Sequence, residues 1–220
     1  MPNGETGDRR LGIVGAGRVG TTIARAANAA GYDVAISGSG SADRIALIVE
    51  VLAPGARAAS TEEVVQHADL IVLAVPMHRF RELPHDVFAG KVLIDAMNYW
   101  EEIDGDDPQL ANAPSGTSVV VQEWFASARV VKSLNHITYY RFDEGRRPHG
   151  ASGRIAMAAA GDDRAAVSAV MRLIDRLGFD AVDAGPLEAG LTLEPNGPVF
   201  GVSYSADGLS NLLRPTASSA

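Results

Sequence analysis

The run Gly15-Ala16-Gly17-Arg18-Val19-Gly20 is the first place in the chain where residue type and spacing together suggest chemistry. A G-x-G-x-x-G pattern suits a tight turn, a close approach of backbone to a pyrophosphate and a close contact of helix on strand. The free N–H groups and positive dipole end of the following helix would then face the phosphates. Among 23 glycines such a pattern can arise by chance. Here an apolar run, LGIVGA, leads into it and a run of good helix formers, TTIARAANAA, follows. That context points to dinucleotide binding.

The end of the second strand decides which dinucleotide. It reads Ile36-Ser37-Gly38-Ser39-Gly40-Ser41, with no acid between Asp33 and Asp43. An Asp or Glu there would accept the ribose 2′-OH of NAD and repel the 2′-phosphate of NADP. Its absence favours NADP(H), with Ser37, Gly38, Ser39 and either Arg18 or Arg44 to hold the phosphate. Val75, Pro76 and Met77 end the run at 70–75, and Ala96 and Asn98 follow that at 91–95, at the strand ends where such sheets bind ligands. Core packing is the competing role for Val75 and Met77. Asn135, His136 and Ile137 follow the run at 130–134 as the most polar element near the nicotinamide end, with His136 a candidate for proton transfer. His67, His78, His85 and His149 lack metal-ligand spacing, so no metal site is expected.

These residues need a scaffold of alternating strands and helices. Continuous apolar runs at residues 11–16, 32–36, 70–75, 91–95 and 130–134 read as buried parallel strands. Helices are expected over residues 21–30, 42–52, 61–67, opened by a capping-box-like Thr61-Glu62-Glu63, and 119–128. Residues 100–118 read as an acidic surface loop, and residues 143–153 as a second turn-rich stretch. Residues 154–159, 162–177 and 179–183 then form a further βαβ unit. The fold class is α/β, a Rossmann-type doubly wound parallel sheet with a small C-terminal lobe. Residues 1–134 form the NADP-binding domain and residues 135–220 the substrate and dimerisation lobe. The last six residues, PTASSA, read as frayed.

Composition removes other classes. The 220 residues contain no cysteine, which excludes disulfides, thiolate metal sites and Cys nucleophiles. A net charge of −8 disfavours nucleic acid and anionic membrane surfaces. No apolar stretch reaches membrane-span length, and the polar amino terminus lacks a secretory core, so a cytoplasmic protein is expected. The only lysines are Lys91 and Lys132, which confines any lysine mechanism to two positions. No tyrosine has a lysine four residues on, which excludes the short-chain reductases, and no lysine follows Lys132 to serve as that of the hydroxyisobutyrate dehydrogenases. The apolar stretch 199–213 has little later chain to cover it, so a homodimer built on it is expected.

Through GIVGAGRVG, ADLIVLAVP, VLIDAMN, ARVVKSLNHI and DAGPLEAGLTLEP, in that order, the chain resembles the NADP oxidoreductases that exchange hydride with the deazaflavin coenzyme F420. The resemblance covers residue 11 to about residue 195. It implies a Rossmann domain with a small lobe and a deazaflavin lying over the nicotinamide. By the same resemblance Ala16 to Val19 clasp the pyrophosphate, Gly38 and Ser39 face the 2′-phosphate, and Pro76, Met77 and Asn98 line the ribose. Asn135, His136 and Ile137 floor the hydride-transfer site. Two other readings stay open: an NADPH-dependent reductase of a small imine, carbonyl or flavin, with His136, Tyr139 or Tyr140 as proton donor, and a non-catalytic NADP(H)-binding regulator. Tyr139-Tyr140 and the acids between Glu101 and Asp107 would give the site a bulky, negative rim.

Overall fold

The computed structural model describes residues 9–214; the polar start of the chain and the PTASSA tail lie outside the described residues. Strands β1 (Arg10–Val14), β2 (Asp33–Ser37), β3 (Arg57–Ala58), β4 (Leu70–Leu73), β5 (Val92–Asp95), β6 (Arg129–Ser133), β7 (Ala156–Ala160) and β8 (Asp180–Gly185) form one sheet in the order β3-β2-β1-β4-β5-β6-β7-β8. The strands from β3 to β6 run parallel, β7 is antiparallel to β6, and β8 is parallel to β7. The doubly wound α/β sheet is therefore present, and the segment after residue 134 extends it edge to edge with two reversed strands.

The strands read as unbroken apolar runs because both faces are covered. On one face Leu11, Ile13, Val72, Ile94 and Val131 pack against helices α1 (Arg18–Ala29), α2 (Ala42–Leu52) and α8 (Arg164–Leu177). On the other, Ile71, Leu73, Leu93 and Val130 meet α3 (Thr61–His67), α6 (Thr117–Trp124), and the aromatic trio Phe80, Phe88 and Phe125. Successive residues of β4 thus alternate between the two cores, as the period-2 pleat requires.

Four local expectations change. Helix α1 begins at Arg18, so the last half of the glycine motif is its first turn. The capping box of α3 is Ser60 with Glu63, one residue earlier than read: Ser60 Oγ accepts the Glu63 N–H, and Glu63 accepts the Ser60 N–H. The acidic stretch holds two helical turns, α4 (Glu101–Asp104) and α5 (Pro108–Ala111), the second capped by Asp107 on the N–H groups of Gln109 and Leu110. A helix not anticipated, α7 (Tyr139–Glu144), follows β6 and lies on α1.

The carboxyl-terminal apolar stretch is itself a cover. Val199 and Leu209, the latter on α9 (Ala206–Leu213), are fully buried against Ala156, Ala158 and Val182 of the last two strands. Val202 and Leu212 stay exposed. Among the described residues no helix is long and apolar enough to cross a membrane.

Candidate functional site

The order of the strands reverses between β1 and β4, and ligands of such sheets bind in the crevice at the carboxyl ends there. The glycine loop leaves β1 at that point. Gly15 has φ +124°, and a Cβ on it would stand 2.3 Å from the Ala74 carbonyl oxygen; on Gly20 it would stand 1.8 Å from that of Gly15. The fold demands both of these glycines. Gly17 differs: its φ is −80°, and an added Cβ meets nothing within 4 Å. It is the N-cap of α1, with no side chain capping the helix and no acid in its first turn. Uncapped N–H groups beside open space form a cradle for an anion, and a side chain at residue 17 would fill it.

The cradle opens into a cleft of about 610 Å³. Gly15, Ala16, Gly17, Gly38, Ser39, Val75 and Pro76 line it together. Ile45 and Ile48 on one side and Leu83 and Pro84 on the other give it apolar walls. Ser37 is buried, and its hydroxyl accepts a hydrogen bond from Thr61 Oγ1 at 3.2 Å, so it is committed to the β2–α3 contact. Met77 is buried in the core. Arg44 lies beside Gly40 and is not part of the lining. Two charged residues of the lining, Arg79 and Glu82, were not singled out from the sequence, although their place just after β4 was a usable signal.

A second, small cavity of about 30 Å³ lies where α1 meets the turns after β5 and β6, lined by Val19, Ala96, Asn98, Asn135, Ile137 and Tyr139 among others. The turn after β6 is strained, since Leu134 has φ +62° without being glycine. Asn98 and Asn135 hold each other: Asn135 Nδ2 donates to Asn98 Oδ1 at 3.0 Å, and Asn98 Nδ2 donates to the Asn135 carbonyl at 3.1 Å. Asn135 Oδ1 is buried with no partner, an acceptor left over for a ligand. Beneath the turns, Lys132 Nζ donates to the Met97 carbonyl at 2.6 Å and to Asp95 Oδ2 at 3.3 Å. Asp95 also accepts from Ser118 Oγ and from the Met97 N–H, so a sealed ion pair fixes the Ala96–Asn98 backbone.

His136 points the other way. Its Nε2 accepts the Ala158 N–H at 3.0 Å, and its carbonyl accepts the Gly201 N–H at 2.8 Å. Burial, aided by the Lys132 charge, pushes its pKa down to about 4. The imidazole is thus neutral, sealed and committed to β7. Over the small cavity, Arg18 Nη1 donates to the Tyr139 hydroxyl at 2.9 Å, and the Tyr139 and Tyr140 rings lie 4.1 Å apart. A hydrogen bond from Tyr140 and the Arg18 contact hold the Tyr139 phenol below its usual range.

Residues 10–99, from β1 through the turn after β5, match the family described as NADP oxidoreductase, coenzyme F420-dependent. The match covers 90 of the 220 residues, and over that segment the chain is similar to this family. The family segment contains the cradle, the cleft and Asn98, whereas Asn135, His136 and Ile137 lie beyond it. A curated relative, the protein YjhV of Escherichia coli strain K12, is 38% identical over 64 residues, which are 29% of this chain and 47% of that one. The match thus spans about half the length of that relative. Among solved structures, the hypothetical protein SMa0349 of Sinorhizobium meliloti has a TM-score of 0.76 at 23% identity, covering 89% of this chain and 95% of that one. A protein of Arthrobacter sp. FB24, whose name proposes an F420-dependent NADP reductase, has a TM-score of 0.69 at 25% identity and covers 82% of this chain and 86% of that one. The likeness to these structures, over 89% and 82% of this chain, therefore extends past residues 10–99.

Proposed function

We propose that the chain is an NADP(H)-dependent oxidoreductase that exchanges hydride with a deazaflavin of the F420 type. The observation that carries this reading is the open cradle at Gly17, set on an uncapped helix and continuous with the cleft. Gly17 and the first turn of α1 would hold the pyrophosphate, and Gly38 and Ser39 the 2′-phosphate ribose, with no carboxylate on the β2 end to repel it. The leftover acceptor Asn135 Oδ1 suits an amide donor at the nicotinamide end. When bound, the dinucleotide supplies the hydride-carrying ring.

What the chain adds is placement. The small cavity, at about 30 Å³, has room for roughly one water, so Tyr139 must swing aside for a ring to lie against Asn98 and Asn135. Hydride exchange between two preformed rings asks for close approach and alignment, not for a protein acid. In support of this reading, His136 is sealed away from the cavity, whose polar side chains are the amides of Asn98 and Asn135 and the hydroxyls of Thr22 and Tyr139. The negative rim is milder than its sequence suggests, because Asp107 pairs with Arg81.

The test is optical. The protein is incubated with NADPH and oxidised F420, and the deazaflavin absorbance is followed. Its loss at a rate set by protein concentration supports the proposal, and an unchanged band with intact NADPH binding refutes the deazaflavin. One observation favours a second reading, reduction of a small imine or carbonyl: the Tyr139 phenol, held below its usual range, lines the cavity and would be the proton donor. Activity on such substrates that disappears in Tyr139→Phe would select that reading.

A further inference from the structure

The turn that follows β4, Met77–Glu82, carries three basic side chains, and they divide between two sides. His78 faces α4, where its Nδ1 and backbone N–H both meet Asp104, at 2.8 and 3.1 Å. Arg81 faces α5, donating to Asp107 at 2.7 Å and to Gln109 at 2.8 Å. Arg79 alone of the three lines the large cleft, with Gly38, Ser39 and Gly40 in the same lining. There its Nε and Nη2 both donate to one oxygen of Glu82, at 3.0 and 2.7 Å. The side chains are 43% and 58% exposed, so the pair is screened by water and readily exchanged.

The other charged side chain of the lining is Glu62. The cleft therefore holds two carboxylates and a single guanidinium, flanked by the flat apolar surfaces of Ile48, Leu83 and Pro84. Arg44, the basic residue that the β2 end brings to mind, lies outside this lining. We propose that Arg79 is the residue that distinguishes NADP(H) from NAD(H), and that Glu82 is an internal competitor for the same guanidinium. The inference rests on the nucleotide reading above and sharpens it. A guanidinium that sheds a carboxylate can present a two-pronged donor face to a phosphate, which carries more charge and more acceptor oxygens than the carboxylate it replaces. A dinucleotide without the 2′-phosphate leaves the Arg79–Glu82 pair as it is. Selectivity then depends on the difference between phosphate and Glu82 as partners of one arginine, a competition built into a single turn.

The experiment is calorimetric titration of the full chain and of Arg79→Gln and Glu82→Gln with NADPH, NADH, 2′,5′-ADP and 5′-AMP, with thermal melts to show that both variants fold. Arg79→Gln is expected to weaken NADPH and 2′,5′-ADP by about tenfold or more while NADH and 5′-AMP change by less than about twofold. Glu82→Gln is expected to tighten the two phosphate-bearing ligands by about threefold or more and to leave the others unchanged. Raised salt should narrow both differences. Wild-type binding of the nucleotides with an unchanged NADPH-to-NADH ratio in either variant would overturn the role of this pair alone. Failure of the wild-type chain to bind any of the four would overturn the nucleotide reading and this inference with it.

Discussion

Arg18 and Tyr139 are 121 positions apart and meet at 2.9 Å, the guanidinium donating to the phenol and standing 5.2 Å from the centre of its ring. The contact ties the first turn of α1 to α7 and closes the small cavity from above. An arginine at a pyrophosphate cradle has a stronger potential partner than a phenol, so nucleotide binding should break this contact. Tyr139→Phe, which removes the hydroxyl and keeps the ring, is expected to tighten NADPH binding by a few-fold, about the value of one exposed hydrogen bond to a charged group. Calorimetry checks it; weaker binding in the variant would show that the latch helps to build the site.

Gly17 gives the sharpest separation of folding from binding. Because a Cβ there meets nothing within 4 Å, Gly17→Val should melt within a few degrees of the wild type. The same side chain would occupy the anion cradle, so NADPH affinity should fall below detection in a calorimetric titration. Gly20→Val is the contrasting control: a Cβ 1.8 Å from the Gly15 carbonyl oxygen cannot be accommodated without moving the loop, and that variant should fail to fold.

Lys132 and Asp95 are both fully buried, and each is the other's only ionic partner among the described residues. Lys132→Met would strand the carboxylate, at a cost of about 3–5 kcal/mol, a large part of an ordinary domain's stability of about 5–15 kcal/mol. It would also free the Met97 carbonyl from the ammonium and loosen the Ala96–Asn98 turn. The urea midpoint should drop sharply, and the double variant Lys132→Met with Asp95→Leu should recover much of the loss. A double variant no more stable than the single one would show that the pair contributes net stability.

His136 makes a pH-dependent prediction. Its folded pKa of about 4 lies below the ordinary value of 6.5, so on acidification the unfolded chain takes up the proton first. The stability tied to its neutrality is complete above about pH 6.5 and is lost progressively as the pH falls towards 4, by an amount on the order of 3 kcal/mol. His136→Gln, which keeps an acceptor for the Ala158 N–H, should flatten the stability profile in that window as read by denaturation at pH 4.5 and 7. A sealed imidazole is also no proton donor, so the same variant should keep its hydride-transfer rate within a few-fold. A loss of about a hundredfold would place the imidazole in the chemistry.

Local signals in the sequence determined the strands, the glycine loop and the class of ligand. Strand runs such as Leu70–Leu73 were legible because burial on both faces demands unbroken apolar residues, and Gly15, Gly17 and Gly20 because the spacing of the whole motif lies within six consecutive positions. The lack of an acid after β2 was likewise a matter of a few neighbouring residues. Only the tertiary structure decided which way polar side chains face. Asn135, His136 and Ile137 are consecutive, yet the first and last line the cavity while the imidazole is drawn into the sheet by an N–H on β7, 22 positions away. His78, Arg79 and Arg81 share one turn, and it is Asp104 and Asp107, some 26 positions on, that claim two of them and leave Arg79 to the cleft. The reversal of β7 and the folding of α9 over it belong to the same class. Periodicity and turn chemistry are properties of neighbours along the chain, whereas the direction of a hydrogen bond or an ion pair depends on which distant segments pack together.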